Sequence, residues 1–184
     1  MINDNYLGVL IVCLCIILHY YVLVVQASGP RRDIFTEEFM EQNFGYEHRT
    51  VFNEKIQKGG YPDCGSGRYT MKAGYGAWMN FNAAQRGHLN YAENISQILT
   101  MFLTCGLYFP VATTGIGAIY FLARVMYAVG YKLAGPKGRI YAVPIILLTQ
   151  FFMPVFTIVS LGFLGTVGFR NQRDAYAQWQ RNTI

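Results

Sequence analysis

Uncharged apolar runs and polar stretches alternate along the chain in blocks, and the block lengths predict an all-α fold, a four-helix transmembrane bundle. The first apolar run, Tyr6 to Val25, matches the roughly 20 residues that carry a helix through about 30 Å of hydrocarbon at about 1.5 Å per residue. The first helix is predicted over 6–27, ending at Ser28-Gly29-Pro30, where Gly and Pro stop helices. A second is expected over 78–109, a third over 115–134 after the connector Phe109–Gly115, and a fourth over 140–169 with Pro144 and Pro154 inside it. Gly135-Pro136-Lys137-Gly138 separates the last two. Helices and closed barrels are the structures that satisfy every backbone polar group in lipid, and these runs are too continuous for barrel strands.

Residues 28–77 differ in kind. They are polar and charged, and Gly-rich from Gly59 to Gly67. A connection this long is functional or disordered in most compact domains. Phe35, Phe39, Phe44, Tyr46 and Phe52 supply enough apolar surface to order it, with short helices expected over 34–43 and 49–58. A polar tail occupies 170–184.

Composition supports a membrane assignment within one domain. Of the 184 residues, 53% are hydrophobic and 14% charged, too apolar for an ordinary soluble domain of this size. The net charge of +5 suits anionic headgroups or an anionic substrate better than nucleic acid, because no basic aromatic soluble surface accompanies it. Val25-Gln26-Ala27 resembles a signal cleavage site, but no basic residue precedes the run and it is long for an h-region, so a retained helix is expected. Cys13, Cys15, Cys64 and Cys105 have the spacing of neither a disulfide framework nor a zinc site. Arg31, Arg32, Lys72, Arg86, Lys132, Lys137 and Arg139 gather on the side of the first and third loops, which places those loops in the cytosol.

Candidate chemistry lies in a polar stripe at one end of the second and third helices. Asn82, Arg86, Asn90 and Glu93 share one helical face, and Arg124, Tyr127 and Tyr131 share another, with Arg139 just beyond. Ionisable groups within a span are expensive to bury and read as functional by default. Arginines pair bidentately with carboxylates, a glutamate takes an ammonium, and a cation beside a thiol favours the thiolate. Glutathione carries all of these groups and is one candidate ligand among several. The competing reading is structural: Arg86 and Glu93, or Arg124 and Glu93, form an internal ion pair that fixes helix packing. His88 lies off the stripe and reads as a packing or hydrogen-bonding residue. No metal site is expected, because no second His or carboxylate is placed with it.

Arg86-Gly-His-Leu-Asn90-Tyr-Ala-Glu93-Asn94 resembles the Arg-x-x-x-Asn-x-x-Glu signature of the MAPEG family, membrane-associated proteins in eicosanoid and glutathione metabolism. Phe81–Arg86 and the stretch Leu122–Tyr131 with Pro136 and Arg139 are most similar to the microsomal glutathione transferase 3 branch. The match is good over residues 78 to 140. The resemblance implies a homotrimer with glutathione as co-substrate between subunits, and lipophilic electrophiles or lipid hydroperoxides as second substrates. It implies glutathione binding by Arg86, Asn90, Glu93, Tyr127 and Tyr131, with Arg139 stabilising the thiolate. Asn82, His88, Asn94, Arg31, Arg32 and Arg68 are further candidates, with Lys72 a rival to the loop arginines. Gly87 stands where Ala is usual, Asn94 replaces the tyrosine of the leukotriene-synthase branch, and the first loop is longer than the family's.

Three functions follow. The first is a membrane glutathione transferase or peroxidase in the endoplasmic reticulum or a mitochondrial membrane. The second is a non-catalytic lipid binder, as the five-lipoxygenase-activating protein is within that family. The third is a structural subunit of a larger membrane complex, such as a respiratory complex, docking through the long loop and the tail. Retention of the polar matches favours the enzyme, and the enlarged loop favours the scaffold.

Overall fold

The computed structural model describes residues 4–183. They form five α-helices with no strand among them: α1 (Tyr6–Ile34), α2 (Glu37–Phe52), α3 (Tyr75–Gly106), α4 (Pro110–Ala134) and α5 (Val143–Thr183). Short 3₁₀ turns cover Thr70–Lys72 and Gly135–Arg139. Tyr6–Ile34, Pro110–Arg139 and Val143–Arg181 are long and apolar enough to cross a membrane. The expected four spans are therefore three on composition. α3 has the length, at 32 residues, but Asn82, Gln85, Arg86, His88, Asn90, Glu93, Asn94, Ser96 and Gln97 make it too polar.

Several boundaries differ from expectation for local reasons. α1 continues through Ser28-Gly29-Pro30. The proline ring clashes with the N–H and Cβ of a helical residue before it, and Gly29, without a Cβ, avoids part of that clash. α4 starts at Pro110 because proline's fixed φ suits a first turn whose N–H groups have no helical partner. In the loop, one helix of 16 residues replaces the two expected. Thr36 caps its start by accepting from the Phe39 N–H at 3.1 Å, and Asn53 ends it in the left-handed region. α5 runs on through the expected polar tail.

Two compact units emerge. One draws on Met1–Ile16, Asn94–Ala123 and Val143–Ile184, the other on Ile17–Glu93 and Arg124–Ala142. In the first, small residues let helices approach closely, as association in lipid requires. A Cβ added at Gly8 would sit 2.8 Å from Thr114 Oγ1, and one at Gly117 would sit 2.6 Å from Val12. Phe109 stacks on Phe156 and Tyr108 on Phe163. Hydroxyls of Thr100, Thr104, Thr149, Thr157 and Ser160 donate to carbonyls one turn back, which satisfies them without water.

In the second unit the long loop folds onto the ends of α1 and α3. Phe35, Met40, Phe44, Ile56 and Phe81 form its apolar core. Arg31 is the polar clamp: its guanidinium donates to the carbonyls of Gly59 (3.0 Å) and Asp63 (2.6 Å) and lies 4.2 Å from the centre of the Tyr61 ring. Hydrogen bonds from a charged donor contribute about 1.5–3 kcal/mol each, so the clamp also holds the last turn of α1. Trp78 Nε1 and Asn82 Nδ2 both donate to Gly65 O at 3.0 Å, tying the loop to α3.

The Asp63 carboxylate organises residues 63–70. It accepts from the N–H groups of Gly65, Gly67 and Thr70 and from the Thr70 hydroxyl. Burial raises its pKa, but these donors outweigh burial and hold it below the usual carboxylate value. A depressed folded-state pKa stabilises above the unfolded value and loses that contribution as pH falls through the folded value, here below about pH 4. Acidification through that range should expose the loop to pepsin. At neutral pH, Asp63→Ala should speed tryptic cleavage after Arg68 on the order of tenfold, since each buried donor left unpaired costs about 1–3 kcal/mol. Unchanged cleavage would remove Asp63 from this role.

Candidate functional site

The stripe expected from sequence divides into three groups, all but Asn94 within the second unit. The first is buried. Arg124 is 1% exposed; its Nη1 donates to Asn90 Oδ1 at 2.6 Å, and the guanidinium lies 4.7 Å from the centre of the Tyr91 ring. A neutral amide and an aromatic face thus receive the charge, a workable arrangement in a dry interior. Tyr91 meets His19 edge-on at 5.6 Å, and Tyr20 lies against both Tyr91 and His88. His88 Nε2 is 3.1 Å from the Tyr20 hydroxyl, the hydrogen-bonding place its sequence position suggested.

The second group sits where α4 ends. Tyr127 and Tyr131 are buried with ring centres 5.6 Å apart. The Arg139 guanidinium is 5.8 Å from the Tyr131 ring centre. A reversal of the chain makes this possible. Gly135 adopts φ +59°, the left-handed conformation that closes a helix. The following 3₁₀ turn then folds back until the backbones of Gly130 and Gly138 touch. A Cβ on either would overlap the other's carbonyl oxygen. The Gly-x₇-Gly spacing around Pro136 was the available signal for this contact, and sequence reasoning passed over it.

The third group is open. Arg86 and Glu93 are exposed on α3, and neither joins an ion pair among the described residues. Arg86 does not pair with Glu93, and Arg124 donates to Asn90. Asn94 is half-buried.

The remaining candidates serve the loop. Asn82 bonds Gly65 and Trp78 carbonyls, and Arg31 is the clamp already described. Arg68 pairs with Glu47 at 2.8 Å, beside a cavity of about 530 Å³ lined by Phe44, His48, Cys64 and Tyr69. Arg32 is exposed and borders a separate cavity at the end of α1. Among the described residues, no cluster of three His, Cys, Asp or Glu could hold a metal.

The model of the MAPEG family aligns with residues 7–159, which takes in all of α1 but its first residue, α2, α3 and α4, every residue of the three groups, and more than a third of α5.

Proposed function

The chain belongs to the MAPEG family, and we propose that it is a membrane-bound glutathione transferase or peroxidase, of the microsomal glutathione transferase 3 type, working as a homotrimer. That it is an integral membrane protein follows from the family and the apolar helices. The observation that carries the functional reading is the exposure of Arg86 and Glu93 without an internal ion pair. An internal pair would have made the stripe a packing device. Open charges on a helix between membrane spans suit a polar ligand and a covering subunit, because exposure to hydrocarbon is costly. With that face covered, α3 serves as the fourth span.

Residue roles follow from chemistry. Arg86 pairs with a glutathione carboxylate and Glu93 with its ammonium. Asn90, whose Oδ1 accepts from Arg124, is held at a set orientation beside them. Tyr127 and Tyr131 form the wall on which Arg139 rests. The thiol loses its proton to solvent, and the guanidinium of Arg139 stabilises the resulting sulfur anion. In conjugation, the sulfur's electron pair forms a C–S bond as the electrophile's leaving group departs with its bonding pair. With a lipid hydroperoxide, sulfur attacks the distal oxygen to form a sulfenic acid, the O–O bond breaks, and the departing alkoxide takes a proton from solvent to leave as the alcohol. A second glutathione then displaces hydroxide from the sulfenic acid to give the disulfide.

Purified full-length protein in mild detergent tests the reading directly. Native mass spectrometry is expected to show three copies, and calorimetry is expected to show saturable glutathione binding. A monomer, or a trimer that binds no glutathione, would leave the open charges as an assembly surface without a ligand and end the enzyme reading.

A further inference from the structure

A cavity of about 570 Å³ opens at the C-terminal end of α1. Arg31, Arg32 and Lys58 line it against one carboxylate, Glu37. Glu37 is already ion-paired with Lys55, so the cavity keeps an excess of positive charge. Arg31 is fixed by loop carbonyls. Arg32 and Lys58 are exposed and join no ion pair among the described residues. The Thr36 oxygen accepts from Phe39 N–H, which leaves its own proton available to donate.

The depth of this cavity is set by α1. From Tyr6, about 20 residues traverse the hydrocarbon, so Arg32 stands at headgroup level. Below it, Leu18, Tyr21, Val22 and Val25 are all at least half exposed. They recur at the three- and four-residue spacing of one helical face, and the next steps along that face are Ser28 and Arg32. An apolar track thus runs up α1 into a cationic cavity.

We propose that this cavity binds the phosphate of an anionic glycerophospholipid, with Arg32, Lys58 and Thr36 as its partners and the acyl chains along the Leu18–Val25 face. The site requires α1 to span the membrane and does not depend on glutathione chemistry.

The test uses full-length protein offered equimolar phosphatidylglycerol and phosphatidylcholine in detergent, with bound lipid read by native mass spectrometry. Phosphatidylglycerol should be retained preferentially. Arg32→Gln and Lys58→Gln should each weaken its binding about fivefold, and the pair about 30-fold, as expected for basic residues facing anionic lipid. Both side chains are exposed, so the fold should survive, which unchanged thermal unfolding would verify. Lys72→Gln removes the same charge outside the cavity and should change binding less than about twofold. An equal loss in Lys72→Gln would mean diffuse attraction and overturn the site. Displacement of the lipid by millimolar inorganic phosphate or glutathione would assign the cavity to a soluble anion and overturn it equally.

Discussion

Gly138→Ala is expected to abolish most turnover while leaving the helices formed. Its new methyl would occupy the space of the Gly130 carbonyl oxygen, and backbone cannot rotate aside as a side chain can. The turn 135–139 must therefore lift from the last turns of α4. Overpacking of this kind costs about 1–3 kcal/mol, and the geometric consequence is larger: Arg139 follows directly after the turn's contact point and would leave its place over Tyr131. Gly130→Ala attacks the same contact from the other side and should behave alike. Gly162→Ala is the control, because no atom lies within 4 Å of its added Cβ and alanine favours a helix interior by about 1 kcal/mol. Glutathione conjugation should drop about 100-fold in the first two variants, the scale of losing one stabilising charge, with glutathione affinity reduced far less and circular dichroism unchanged. If Gly138→Ala is as mild as Gly162→Ala, the glycine contact does not position Arg139.

The order of helices was legible because apolar runs of spanning length are unambiguous, and the α4 face was legible because Arg124, Tyr127 and Tyr131 recur at helical spacing. What escaped were contacts between residues far apart in the chain. α1 was expected to stop at Gly29-Pro30, but Arg31 is anchored to carbonyls 28 and 32 residues away, which no local propensity reports. The partner of Arg124 could not be chosen from spacing, since Asn90 and Glu93 lie one turn apart on α3 and either could have faced it. The same ambiguity hid Tyr20 and His19, aromatic residues within an apolar run that reach α3. Whether α3 crosses the membrane depends on what covers its polar face, and a property of the assembly leaves no periodicity within one chain.

Arg139→Ala and Arg86→Ala should separate activation from binding. Arg139 is exposed at the end of α4, at a depth wet enough to admit glutathione and poor enough in water to strengthen a charge pair. Without its guanidinium, the bound thiol should ionise at higher pH, and each tenfold loss in its ionisation constant represents about 1.4 kcal/mol of lost differential stabilisation. Turnover at neutral pH should fall about 100-fold or more, while glutathione affinity changes little because Arg86 and Glu93 still hold the tripeptide's ends. Arg86→Ala removes a carboxylate's bidentate partner and should weaken affinity about tenfold or more, an effect of the size of one charged hydrogen bond, with the thiol's ionisation unmoved. The ultraviolet absorbance of bound thiolate against pH, together with calorimetric affinity, reads both quantities in both variants. An unchanged ionisation in Arg139→Ala with binding intact would transfer activation to another cation. Arg86→Ala that binds glutathione like the wild type would mean that the exposed face of α3 meets another subunit and not the ligand.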